Sequence, residues 1–172
     1  MHSKLNTTTI VVIAFLMALE IILTRFLSIQ LPIVRLGFGF LPVALMGILY
    51  GPLWAGATYA LGDILVMLIF PSPFPYFPGF TLTALLVGIV YGLVLHNKQI
   101  TWKRTLLATS IVCILLNLGL DTLWLYLTMD KAVVALMPAR LIKCAIMLPV
   151  QTILIYTLWN KYLNKVSFLQ KQ

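Results

Sequence analysis

Apolar residues run along this chain in long blocks, broken by short polar or proline-glycine interruptions. A membrane-spanning helix needs about 20 mostly apolar residues, fewer when it is tucked inside a bundle. On that measure the pattern predicts helices at about 8 to 27, 38 to 50, 53 to 70, 80 to 96, 104 to 128 and 135 to 160. The second is the shortest, and Gly51-Pro52 separates it from the third as a helix stop followed by a proline at a new start does. The expected fold class is therefore all-α: an integral membrane bundle of six transmembrane helices in a single membrane domain over residues 1 to 172. The first block is long, carries Glu20 and lacks a small-residue cleavage site, so a retained helix is expected rather than a cleaved signal peptide.

Composition agrees: 62% of residues are hydrophobic, 9% are charged and the mean hydropathy is +1.04, against roughly 45–50% apolar residues in a soluble domain. The net charge of +8 invites a nucleic-acid reading. Position answers it, because Lys4, Lys98, Lys103, Arg104, Lys161, Lys165 and Lys171 stand at the ends of apolar blocks, as the positive-inside rule requires. The lipid bilayer is the partner these charges fit, and no nucleic acid is expected. Six spans place both termini on one side with the connection HNKQITWKR, and its basic residues make that side cytoplasmic. The loops around 28 to 37, 71 to 79 and 129 to 134 then face outside.

Enzyme and metal chemistry find no support. There is no GxxxxGK[ST] loop, HExxH or GxSxG. The two cysteines, Cys113 and Cys144, fall inside predicted spans with neither CxxC spacing nor a histidine pair. His2 and His96 sit at cytoplasmic ends, where a solvated histidine is expected. No catalytic residue, metal site or cofactor is assigned.

What remains is polar chemistry in oil, where an ionisable side chain is expensive and faces the bundle interior or a watery cavity. Of four acids, Glu20, Asp63 and Asp121 lie within spans and Asp130 in an outer loop. Counting about 1.5 Å of rise per residue, Asp121, Arg25, Arg140 and Lys143 fall in the outer half and Glu20 and Asp63 near the middle. Helix five carries Asn117, Asp121, Trp124 and Thr128 along one face; helix six carries Arg140, Cys144, Met147 and Gln151 with the same stepping, and Lys143 one turn from Arg140. These faces are expected to meet across a pocket, although Asp121 and Arg140 could also simply neutralise one another.

Above them lies the stretch PSPFPYFPGFT, Pro71 to Thr81. Its prolines pre-set φ, and Phe74, Tyr76, Phe77 and Phe80 offer flat, rigid contact area. An interfacial belt would point these rings at lipid, whereas a lid would point them at a ligand. The lid is preferred because PYFPGF is compact and lies over the polar cluster. Arginines suit carboxylates, aromatics a flat ring, and a buried Asp with an Asn an amidine edge. Together they imply an anionic, ring-containing nutrient.

Small residues form close-packing notches at Gly47 and Gly51, at Gly88 and Gly92, and at Ala14 and Ala18. The glycine pairs read as internal packing; for the alanines, internal packing and docking to a partner stand even. These features meet in a resemblance. The segments AFLMA from Ala14, PIVRLGFGFLP from Pro32, YGPLWAG from Tyr50, YFPGFTLTALLVGIVYGL from Tyr76, NLGLDTLWL from Asn117 and PARLIK from Pro138 resemble the folate-specific substrate-binding subunits, or S components, of bacterial energy-coupling factor (ECF) transporters, from the first helix to roughly Tyr162.

The resemblance implies a six-helix S-component fold in the bacterial cell membrane and a vitamin pocket in the exterior half under the first, third and fifth loops. It also implies docking through Ala14 and Ala18 on a coupling membrane subunit driven by two cytoplasmic ATPases, so that ATP is used by partners only. Such a subunit is thought to topple in the membrane as it carries the vitamin inward. Folate is the expected ligand. Arg35 and Arg140 are expected to hold its glutamate carboxylates or pterin carbonyl, and Asn117 and Asp121 the pterin amino edge. Tyr76, Phe77, Phe80 and Trp124, with Pro78 and Gly79 between them, are expected to stack or cap, with Asp63 and Lys143 as further candidates. The alternatives are an S component for another ring-bearing vitamin or precursor, a stand-alone proton-coupled carrier using Asp63 or Glu20, and a purely structural subunit.

Overall fold

A computed structural model of the chain describes residues 7–26, 29–30, 35–70, 77–129 and 132–162. In order these form α1 (Thr7–Arg25), a small antiparallel ribbon of β1 (Ile29–Gln30) and β2 (Arg35–Leu36), α2 (Phe40–Tyr50), α3 (Pro52–Ile69) and α4 (Pro78–Leu95). A fifth rod follows in three pieces: α5 (Trp102–Ser110), the π-helix π1 (Ile111–Leu120) and α6 (Asp121–Met129). The sixth rod is α7 (Ala132–Thr157) ending in π2 (Leu158–Tyr162). Tyr76, Asp130, Lys4, Lys165, Lys171 and most of the aromatic stretch lie outside the described residues. Apart from the ribbon, where Ile29 pairs with Leu36 and Gln30 with Arg35, the described chain is helical.

Five of these helices are long and apolar enough to cross a membrane, and α2 is shorter. Its 11 residues rise about 16 Å, roughly half of a hydrocarbon core about 30 Å thick. The α2 sequence FLPVALMGILY is apolar on every side, the pattern of a helix surrounded by protein. Val43, Ala44 and Met46 accordingly have no exposed surface. The core is built around α2, with Ile13 and Leu16 from α1, Ala55 from α3, Val87 and Tyr91 from α4, and Val112 from π1.

Close packing of α3 on α4 depends on missing side chains. A β-carbon on Gly88 would run into the Ala55 backbone, and one on Gly92 into Pro52. One on Gly47 would stand 2.9 Å from the Gly92 nitrogen, so three helices meet there. Gly51 takes φ 89°, a conformation that side chains resist, and this lets the chain turn between α2 and α3. The glycine pairs thus pack internally. Ala14 and Ala18 are different: both are exposed on α1, beside exposed Val11, Phe15 and Ile22.

Side chains tie the cytoplasmic ends together. His96 Nδ1 lies 2.9 Å from the Ile48 carbonyl, and Asn160 donates to the Ile100 carbonyl at 3.3 Å. Trp102 meets Tyr156 edge to face.

The glycine contacts give a paired expectation. Gly92→Ala should destabilise the protein by about 1–3 kcal/mol through overpacking, whereas Gly119→Ala, whose β-carbon would meet only the Ile114 carbonyl at 3.6 Å, should stay within about 0.5 kcal/mol. Thermal unfolding in detergent compares the two; equal effects would contradict the packing described.

Candidate functional site

Because α2 stops halfway, the outer half of the bundle has no central helix. The chain enters it as irregular backbone from Gly37 to Gly39, which hydrocarbon tolerates only when buried in protein or lining a cavity. Here it lines one: a cavity of about 250 Å³ has Gly37, Gly39 and Phe40 in its wall. No side chain caps the start of α2 at Gly39, so the positive end of the helix dipole meets the cavity and favours negative charge there.

The facing rods supply the polar walls. From the fifth come Val112, Cys113, Asn117, Leu118 and Asp121; from the sixth come Arg140, Lys143, Cys144, Met147 and Gln151. Arg140 and Gln151 are eleven residues apart on one helix, so they are separated by about 16 Å of depth. The outer end is charged, and the deeper end is lined by Val112, Met147 and Gln151. Thr24 of α1, Tyr59 of α3 and Val87 of α4 complete the wall.

Asp121 and Arg140 face each other without closing. Arg140 Nη2 stands 4.0 Å from Asp121 Oδ2, beyond hydrogen-bond range. The same nitrogen donates to the Asn117 carbonyl at 3.0 Å. That carbonyl is within reach because π1 is widened: the Asp121 N–H bonds five residues back to Leu116, and π-turns of this kind recur at functional sites. Asp121 therefore keeps acceptor capacity toward the cavity, so a closed ion pair is not the whole of this arrangement.

Gln151 has a fixed orientation. Its Oε1 accepts from the Tyr91 hydroxyl at 3.3 Å and from the Cys113 thiol at 3.4 Å. With the oxygen held by two donors, the amide NH₂ is the end left to donate. Gln151 is 4% exposed and Tyr91 is fully buried.

Of the residues expected at the site, Asn117, Asp121, Arg140 and Lys143 line the cavity together. Asp63 does not; its Oδ2 accepts from Thr81 at 2.8 Å, which joins α3 to α4. Phe77, Pro78, Gly79, Phe80 and Trp124 lie outside the lining as well. Phe77 packs on Trp124 with ring centroids 5.6 Å apart and on Phe80 at 6.3 Å. Gly79 is buried against the Phe77 and Trp124 rings. Pro78 opens α4, and Trp124 Nε1 donates to Thr83 at 3.0 Å. These rings form a cluster between α4 and α6 next to the cavity. Tyr76 lies outside the described residues, and for Arg35 only the backbone place in β2 is described. Arg25 is also elsewhere: it donates to the Phe70 carbonyl at 2.5 Å and stacks on the Phe70 ring, holding the end of α3.

Glu20, considered in the sequence only for a proton-coupled carrier, is 2% exposed and accepts from Thr24 at 3.0 Å, one step behind the cavity wall. Its Oε2 faces Gly62 and has no hydrogen-bond partner. Among the described residues no group of three or more His, Cys, Asp or Glu side chains could hold a metal ion.

Residues 8–159 match the family model "ECF transporter, substrate-specific component". The chain is 47% identical over 171 residues to the folate transporter FolT of Clostridium novyi (strain NT), covering 96% of this chain and 99% of that protein. It is 34% identical over 164 residues to the folate transporter FolT of Leuconostoc mesenteroides, covering 91% and 87%. A crystal structure of FolT bound with folic acid superposes with a TM-score of 0.84 at 39% identity, covering 91% of this chain and 95% of that one.

Replacing Gln151 by Leu is expected to cost about 1–3 kcal/mol, because it strands the buried Tyr91 hydroxyl. Adding Tyr91→Phe to Gln151→Leu should recover most of the loss. Unfolding of the empty protein measures both; simple additivity of the two changes would contradict the shared hydrogen bond.

Proposed function

The chain belongs to the substrate-specific components of ECF transporters, and on that premise we propose that it captures folate at the extracellular face. It is a multi-pass membrane protein and a transport component, not an enzyme. The observation that carries the folate reading is the open Asp121–Arg140 pair at 4.0 Å in a cavity between facing helices. The closely similar relatives, named as folate transporters, support it.

In this reading the pterin ring enters the slot between the fifth and sixth rods. Its amino edge donates to Asp121 and the Asn117 side chain. Its carbonyl, or a glutamate carboxylate, accepts from Arg140 and Lys143, and the positive start of α2 favours the same charge. Tyr59, Phe40 and Met147 supply the apolar faces against the ring. Arg35, whose backbone lies in the outer ribbon, is offered for the glutamate tail, and Tyr76, Phe77, Phe80 and Trp124 for the cover above it.

Delivery needs a motor elsewhere. Ala14 and Ala18 let another helix approach α1 closely, and both are exposed. We assign that face to the coupling membrane subunit, with two cytoplasmic ATPases consuming the ATP.

The test is to purify the protein in detergent, identify the copurifying molecule by mass and absorbance, and titrate folate into emptied protein. Folate is expected. Asp121→Asn and Arg140→Gln should each weaken it at least about 30-fold, the lower end of the 2–5 kcal/mol lost when one partner of a buried charge pair is removed. A copurified flavin or pantothenate, or uptake into ATPase-free vesicles driven by a pH gradient alone, would overturn the reading.

A further inference from the structure

The floor of the cavity carries a buried amide that has no part in the reading above. Gln151 of α7 lines the wall and is 4% exposed. Its Oε1 accepts from the Tyr91 hydroxyl of α4 at 3.3 Å and from the Cys113 thiol of π1 at 3.4 Å. Those two donors occupy both lone pairs of the oxygen. They also fix the amide, because turning it over would set the NH₂ against two hydrogen donors. Tyr91 and Cys113 are themselves buried in the core, which holds them in place. Gln151 therefore offers the cavity N–H groups and no acceptor.

Its position suits that chemistry. Cys113 stands one turn deeper than Asn117 on the fifth rod, and Gln151 one turn deeper than Met147 on the sixth, about 6 Å in each case. Arg140 reaches inward to the Asn117 carbonyl at 3.0 Å, which brings its guanidinium toward the Gln151 amide although eleven residues part them on α7. A pterin whose amino edge meets Asp121 and Asn117, with its carbonyl toward Arg140, turns its other long edge to the floor. In folic acid that edge carries two ring nitrogens with lone pairs in the ring plane.

We propose that Gln151 is a specificity-determining residue, which donates an amide N–H to one of these ring nitrogens and so selects a ligand that presents an acceptor to the floor of the cavity. The assignment rests on the folate reading above. A ligand with C–H in place of that nitrogen leaves a buried N–H unpaired. The filled Oε1 offers nothing in exchange.

The test titrates folic acid and its 1-deaza and 8-deaza analogues, each with one of the two nitrogens replaced by C–H, into the emptied full-length protein in detergent. One analogue should bind at least about fivefold more weakly than folic acid, the lower end for a buried donor left without its acceptor. In Tyr91→Phe/Gln151→Leu, the pair expected to restore stability, folic acid should weaken by at least about the same fivefold, and its advantage over that analogue should vanish. A residue that only shapes the fold would lower all three affinities together and keep their ratios. Equal binding of the three ligands by the unaltered chain would overturn the assignment, as would a deficit of the analogue that persists in the double variant. The first comparison needs no variant, so it decides the matter even where the double variant fails to fold. Folic acid that does not bind the unaltered chain at all would instead overturn the folate reading, and the assignment with it.

Discussion

Hydrocarbon does not accept unpaired backbone, and α2 is too short to cross it. That single mismatch organises the molecule. Eleven apolar residues fill the inner half of the bundle as a helix buried except along the partly covered face of Leu41, Leu45 and Leu49. The outer half of the same axis is left to the irregular segment Gly37–Gly39 and a cavity. The long helices around it can face lipid with exposed Leu53, Leu68 and Ile142, while Asn117, Asp121, Arg140, Lys143 and Gln151 turn inward to the cavity.

The polar part of the site was legible because helical period and the cost of buried charge act together. Asn117 and Asp121 on one rod, and Arg140, Cys144, Met147 and Gln151 on the other, share faces by spacing alone, and all of them line the cavity. The ends of the helices could be read from proline and glycine: Pro52 and Pro78 open α3 and α4. Gly37, Gly39 and Phe40 could not be read as wall, since their contribution comes from where α2 begins. Tyr59 and Thr24 carry no periodic signal that separates them from ordinary core or surface positions. Asp63 lies outside the cavity lining. Its depth and charge marked it as a ligand residue, yet a neighbouring Thr81 hydroxyl answers the same need for a partner. The aromatic run behaves alike, because Phe77 and Phe80 find one another and Trp124.

The cavity and the exposed alanines of α1 lie on different faces of the bundle. The cavity opens between the fifth and sixth rods, α2 and the inner side of α1, whereas Ala14 and Ala18 lie on the exposed side of α1. Thr24 and the buried Glu20 occupy the opposite side of that helix. A helix packed on Ala14 and Ala18, as proposed for the coupling subunit, would therefore leave the polar walls untouched.

The central claim is that Asp121 and Arg140 are held apart because a flat, anionic guest belongs between the rods that carry them. An experimental structure of this protein with folate bound tests that most directly. The account expects the pterin ring between the fifth and sixth rods, within hydrogen-bonding distance of Asp121 and of Arg140 or Lys143. Folate bound elsewhere, with Asp121 and Arg140 closed into a hydrogen-bonded pair and the cavity empty, would contradict it.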